Sequence, residues 1–305
     1  GGSIGIPYLK KDNSPLYFKD ADLLWLKSSE KINGEFLYNF FQSQSFKVYL
    51  KSISHTGTIS HFTIEQAKTT PINLPSKEEQ TKIANFLTTV DKKISQLNEQ
   101  HQLMIQYKKG MMQKIFSQEI RFKDDNGEEF GEWQNIQIKD IFSVTRGQVL
   151  SVSQTLEYKD DIYQYPVYSS QTKNKGLLGY YSDYLYQDAI TWTTDGANAG
   201  TVKYREGKFY STNVNGVLLS NKGYANKLAA SLLNQVAFKY VSHVGNPKLM
   251  NNVMKEITFQ IPKNVKVQIK LSKYLALLEK SIDNQLVIEN EYKKLRKFLL
   301  QKLFI

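Results

Sequence analysis

From Ile83 onward the apolar positions fall at steps of four and three: Ile83, Leu87, Val90, Ile94 and Leu97, then Met104, Met111 and Ile115, with His101 and Lys108 in the two seam positions between. That spacing is a heptad seam and predicts a long helix with one face to bury against another helix. A second run follows the same track through Leu271, Leu275, Leu278, Ile282, Tyr292, Leu299 and Leu303, with Gln285, Glu289 and Arg296 as polar interruptions. A helix of about forty residues is roughly 60 Å long, more than one small domain needs for its own packing. The simplest burial of both seams is against each other. The stretch between them lets the chain return, so the helices are expected to pair as an antiparallel coiled coil. Packing of each helix on its own domain, or seams that join separate copies, stay open as alternatives. On a central dyad, His101 and Glu289 should approach within hydrogen-bonding or one-water distance.

The two runs are copies of one another. Pro75 to Phe116 returns, with one inserted residue, as Pro262 to Phe304: Gln80 matches Gln268, Lys82 matches Lys270, Leu87 matches Leu275, Ile94 matches Ile282, and Gln113-Lys114 matches Gln301-Lys302. Upstream, Ser54-His55-Thr56-Gly57 recurs as Ser242-His243-Val244-Gly245. The repeated unit is therefore a globular stretch followed by a long helix, a pseudo-two-fold internal repeat much larger than a solenoid unit. It divides the chain into a first globular domain (1–74), a first helical region (75–118), a linker (119–132), a second globular domain (133–261) and a second helical region (262–305). Aligned backwards from the helices, the first residues fall opposite Asp195 to Gly200, and 133–194 have no counterpart. The first domain is thus expected to lack its N-terminal part, whether as a fragment, a natural truncation or omitted residues, and self-association is one way to complete it.

The second domain alternates differently. Short β-like runs (161–169, 188–194, 201–204 and 216–220) are broken by Gly and Asn turns, and a helical stretch covers about 224–240. This reads as an α+β domain. Ten of the nineteen tyrosines lie between Tyr158 and Tyr210, interleaved with Lys173, Lys175, Lys203, Arg205 and Lys208. More than half of those tyrosines are expected in ordinary packing, while the cations suit phosphate clamping. Three loops are candidates for contact with a ligand. The first, 169–175, carries Gln171, Lys173, Asn174 and Lys175, whose amides match adenine edges and whose cations match phosphate. The second, 193–198, carries Thr193, Thr194 and Asn198 around small residues that admit close backbone approach. The third holds Asn246, Lys248, Asn251 and Asn252. All three also fit ordinary turns.

Composition narrows the partner. Forty Lys and Arg against 29 Asp and Glu leave a net charge of +11 and a pI near 9.3, which favours a polyanion, nucleic acid first. There is no cysteine, so disulfides and thiolate metal sites are excluded, in keeping with a reducing cytoplasm. Four scattered histidines (His55, His61, His101, His243) do not make a metal cluster. With no run of about 18 apolar residues and no basic-then-apolar leader read in the sequence, a soluble, unexported protein is expected.

Asp195 followed by Glu206-Gly207-Lys208 satisfies a loose Mg²⁺-nuclease spacing. With so many acidic and basic residues, chance explains it more readily. Gly-rich cofactor loops, the Walker motif and an adenine-methyltransferase motif are absent, so neither a cofactor nor a catalytic residue is expected.

Leu74-Pro75-Ser76-Lys77-Glu78-Glu79-Gln80-Thr81-Lys82-Ile83-Ala84-Asn85-Phe86-Leu87, followed by Asp91, Ile94 and Gln113-Lys114-Ile115-Phe116, resembles the conserved region of type I restriction-modification specificity subunits. Residues 190–219 resemble the interior of one of that family's target recognition domains, and 132–142 resemble such a domain's start. The resemblance implies two mixed α/β recognition domains alternating with two helical regions that form an antiparallel coiled coil. It implies a non-catalytic subunit that reads a bipartite site on double-stranded DNA. Two methyltransferase subunits would dock on the helices, bring S-adenosylmethionine and methylate adenine N6, and ATP-dependent restriction subunits would join that core. The second copy departs from the pattern, with Val265-Lys266-Val267 in place of the acidic pair, so its helix is expected to be capped differently. A coiled-coil interaction adaptor whose charge serves solubility is the alternative reading.

Overall fold

The computed structural model describes residues 4–12, 14–17, 23–53, 62–120, 132–171 and 173–304, which exclude Ser54 to Gly57, His61 and the opening glycines of the sequence alignment. The chain folds as two compact units, Gly1–Gln106 with Ile282–Ile305, and Tyr107–Ser281. The division falls within both long helices rather than at the domain boundaries drawn from the repeat.

In the first unit the short helices are α1 (Gly34–Phe40), α2 (Gln44–Ile53) and α3 (Ile64–Lys68). They are joined by most of the helix α4 (Lys77–Phe116) and by the C-terminal part of the last helix, Val265–Leu303. No strand occurs among the described residues of this unit. Asn33 caps α1, its side chain accepting from the amides of Glu35 and Phe36, as orphan N–H groups at a helix start require. Phe36, Phe40, Phe46, Ala84, Leu87, Leu300 and Phe304 form the core, and the rings of Phe36 and Phe304 lie 5.0 Å apart.

The two long helices meet within this unit through a ladder of polar bonds. Arg296 Nη2 donates to Asp91 Oδ2 at 3.0 Å, Asn98 Nδ2 to Glu289 Oε1 at 3.2 Å, and Gln285 Nε2 to Gln100 Oε1 at 3.0 Å. Positions rise on one helix as they fall on the other. Leu87, Val90 and Leu97 are buried, and Ile83, Ile94, Met104, Ile282 and Leu299 half-buried. Leu300 is buried in the phenylalanine core, and Leu299 and Leu303, half-buried, pack against it. Glu289 takes its hydrogen bonds from Asn98 and Lys293, and His101, one turn beyond Asn98, acts on it through charge.

The second unit carries the sheets. A two-stranded ribbon pairs β1 (Trp133–Gln137) with Thr258–Pro262. The larger sheet has β2 (Ser143–Arg146), β3 (Tyr165–Tyr168), β4 (Leu177–Tyr181), β5 (Tyr186–Thr193), β6 (Val202–Ser211) and β7 (Asn215–Leu219), in the order β2-β7-β5-β6-β3-β4. Among the described strand pairs of this sheet, only β3 and β6 run parallel. Gln148 also pairs with Thr212, and its amide donates to Ser211 O at 2.9 Å, so the chain after β2 meets the end of β6 and the sheet curls on itself. Strand β3 is shorter than the run 161–169 because Asp160 Oδ1 accepts from the amides of Ile162 and Tyr163, a turn that holds the chain out of the ladder. Strand β6 is longer than 201–204.

Against the sheet packs a helix over Lys227–Val236 that starts at its N-cap Asn226 and ends in a 3-10 turn, Ala237–Tyr240. Trp192 is fully buried, its indole N–H donating to Leu249 O at 2.9 Å. Leu271 and Leu275 are buried in this core and Leu278 is half-buried. The final helix begins without an acidic pair, and Asn264 Oδ1 accepts from the amide of Lys266 in its place.

Candidate nucleic-acid interface

Strand β3 ends in a loop that returns to β4 through three successive residues in the left-handed region: Asn174 (φ 50°), Lys175 (φ 55°) and Gly176 (φ 92°). For a residue with a Cβ that conformation costs about 1–2 kcal/mol, so something must hold Asn174 and Lys175 there. Ser169 N donates to Gly176 O at 2.9 Å, Arg205 Nη1 donates to Lys175 O at 2.9 Å, and the Gln171 amide donates to Leu177 O. The result is a fixed turn with Lys173, Asn174 and Lys175 exposed. Gln171 is spent inside the loop. A Cβ at Gly176 would stand 2.9 Å from Arg205 Nη2, which explains a glycine there.

Arg205 itself is buried on β6. Its guanidinium lies 3.7 Å from the Tyr168 ring centre, and Nε donates to Thr191 Oγ1 at 3.1 Å. Burial pulls its pKa down to about 10, so it is charged at neutral pH. Lys203, two residues before it and half-buried, is held below the ordinary lysine value by burial and then by Arg205 and Lys175, both positive. The candidate cations of the sequence therefore divide into exposed ones (Lys173, Lys175) and a floor beneath them (Lys203, Arg205).

The other two candidate loops are brought together. Leu249 N donates to Thr194 O at 2.8 Å and Gly196 N to Pro247 O at 2.9 Å, while the backbones of Asp195 and Lys248 pair in an isolated antiparallel β-bridge. Thr193 and Thr194 are buried; Asn198 is half-buried, and Asn246, Lys248 and Asn252 are exposed. Arg146, which the sequence pattern does not single out, reaches this pair of loops: its Nη2 donates to Thr194 Oγ1 at 3.1 Å and lies 3.4 Å from Asp195 Oδ2. The signal for it is Gly147, where a Cβ would meet Thr212 O at 2.2 Å, so the chain at the end of β2 is pressed against the end of β6. Asn251 Nδ2 donates to Thr145 O at 3.3 Å beside it.

The tyrosines mostly pack among aromatics. Tyr165 meets Tyr184 at 5.0 Å and Tyr181 meets Tyr210 at 5.5 Å, and Tyr168 and Tyr186 both meet Phe209. Lys208 lies over the Tyr184 ring and Asp195 is engaged by Arg146, so the nuclease spacing has its members in separate contacts. Among the described residues, no three His, Asp or Glu side chains group as a metal site, and no helix is long and apolar enough to cross a membrane.

The fold is that of a solved type I restriction-modification system S subunit from M. genitalium, with a TM-score of 0.64 at 20% identity, covering 90% of this chain and 73% of that one. A family model described as the type I restriction modification DNA specificity domain matches residues 2–106 and 131–292. The chain belongs to that family. A putative type I specificity subunit of Mycoplasma pneumoniae is 31% identical over 238 residues, which make up 75% of this chain and 83% of that protein. The specificity subunit of the type I restriction enzyme MpnII from the same organism is 36% identical over 151 residues, 48% of this chain and 44% of its own length.

Proposed function

We propose that this chain is the sequence-reading subunit of a type I restriction-modification complex, recognising one half of a bipartite site on double-stranded DNA with each globular domain. The long helices act as an antiparallel coiled-coil spacer between the halves, a reading supported by the Asp91–Arg296, Asn98–Glu289 and Gln100–Gln285 ladder. The observation that carries the DNA reading is the fixed turn presenting Lys173, Asn174 and Lys175, since rigid presentation of cations and an amide is what phosphate positioning and base-edge readout require.

Catalysis belongs to partners. Two methyltransferase subunits that modify adenine N6 dock on the helical regions, where apolar side chains such as Leu103, Ile105, Val287 and Leu277 stand exposed, and restriction subunits join through them. The test is methylome sequencing of a host with and without the gene, combined with Lys173→Ala/Lys175→Ala. The gene should add one bipartite adenine-methylation motif, and the double variant should weaken binding and flatten its salt dependence by about two counterions. A methylome indifferent to the gene would reject the reading.

A further inference from the structure

We propose that Lys203 and the turn at Lys175 form a seat for one DNA backbone phosphate, with Arg205 as the positioning residue that holds the turn and Lys203 as the contact. This rests on the DNA-reading function above and names the atoms that anchor it.

Three observations converge. Lys203 and Arg205 stand two apart on β6, so their side chains leave the same face of the strand. Arg205 places its fork beneath the turn, one N–H on Lys175 O, another on Thr191 Oγ1, with its plane 3.7 Å from the Tyr168 ring centre. None of these partners is a carboxylate, so a buried cation is held by neutral groups alone. Beside it Lys203 is half-buried, and the charges that bear on it are positive. A partly desolvated pair of cations without a counter-charge among the described residues is costly in the free protein and is relieved by an anion. A phosphodiester oxygen is the anion a duplex supplies along its whole length. The left-handed geometry of Asn174 and Lys175 fits the same purpose, because strained backbone persists where the surroundings fix it and marks functional sites.

The roles differ and so do their tests. Full-length chain, with the methyltransferase subunit present, is titrated with a random-sequence duplex pool across a salt series. Lys203→Gln should weaken binding about tenfold and lower the salt slope by about 0.9, the signature of one lost phosphate. Arg205→Lys keeps the charge but loses the planar fork and the stack; it should weaken binding and also lower the slope, since Lys175 is no longer presented. Inorganic phosphate should compete with the duplex on the unaltered chain and less well on Lys203→Gln, which separates a phosphate seat from a general effect of charge. A salt slope unchanged in Lys203→Gln overturns the seat. Arg205→Lys that binds like the unaltered chain overturns the positioning role. Should Arg205→Lys fail to fold by circular dichroism, Lys203→Gln alone decides, since a half-buried lysine is removed there without opening the core. Failure of the unaltered chain to bind any duplex rejects the DNA reading itself, a result distinct from either.

Discussion

Asn226 Nδ2 donates to Gln268 Oε1 at 2.9 Å, joining the cap of one short helix to the first turns of the last long one. Gln268 is fully buried and passes its own N–H to Pro262 O at 2.7 Å. The first unit holds the same arrangement: Gln80, also buried, donates to Pro75 O at 3.0 Å and accepts from the amide of Asn33, the cap of α1. A glutamine that repeats in sequence thus repeats a job, locking a helix start to the domain in front of it. Gln268→Ala leaves Pro262 O without its buried donor, a loss of about 1–3 kcal/mol. Urea denaturation should show a lower midpoint with an unchanged slope; an unchanged midpoint would make the glutamine dispensable.

Glu279 sits between two lysines, Lys108 at 2.6 Å and Lys227 on its other oxygen. Burial pushes its carboxyl up, but the hydrogen bonds from Lys108 and Lys227 outweigh this and hold it below the ordinary value of 4.5. A carboxylate whose folded pKa is depressed contributes stability above its unfolded pKa, and loses it as pH falls through the folded one. The stability of Glu279→Gln should therefore match that of the unaltered chain more closely in acid than at neutral pH, with the difference growing as pH rises through about 4.5. Melting temperatures from pH 3 to 7 would show it, and parallel curves would remove the claim.

The two long helices were legible because heptad spacing is local and survives Gln285 and Glu289 as interruptions. The purpose of those interruptions was not: His101 and Glu289 align by symmetry, yet Glu289 takes Asn98, since the hydrogen bond is set by side-chain reach and not by register. The loop 169–175 was legible from its amides and lysines. Arg205 was read as a contact residue for the same reason, but which way a strand side chain faces depends on the bend of β6, and it faces in. Arg146 left almost no trace, because its place comes from the pairing of Gln148 with Thr212, which are far apart in sequence.

Glu289 is 1% exposed, and its Oε2 has no hydrogen-bond partner while Oε1 meets Asn98 and Lys293. A buried carboxylate satisfied at one oxygen is poorer than an apolar side chain of similar size in the same seam. Asn98 and Lys293 are exposed and stay hydrated when it is removed. Glu289→Leu should raise the melting temperature measured by calorimetry. A fall would show that the carboxylate contributes more through Asn98 and Lys293 than its burial costs.

Gly216 lies on β7 opposite Trp192 on β5. A Cβ there would stand 2.1 Å from two carbons of the indole ring, a contact no packed core accommodates. The ring has no free space beside it in the core and its N–H is bonded to Leu249 O, so moving aside has a cost. Overpacking of this kind costs about 1–3 kcal/mol or more, and the displaced indole would break the bond that ties β5 to the loop carrying Lys248. Gly216→Ala should therefore lower stability and increase Trp192 exposure together, read as a red shift in tryptophan emission before the main unfolding transition. Trp192→Phe, which frees the volume the methyl group needs, should recover part of the loss in the double variant; losses that simply add would mean that the glycine is required for the backbone of β7 and not for the ring.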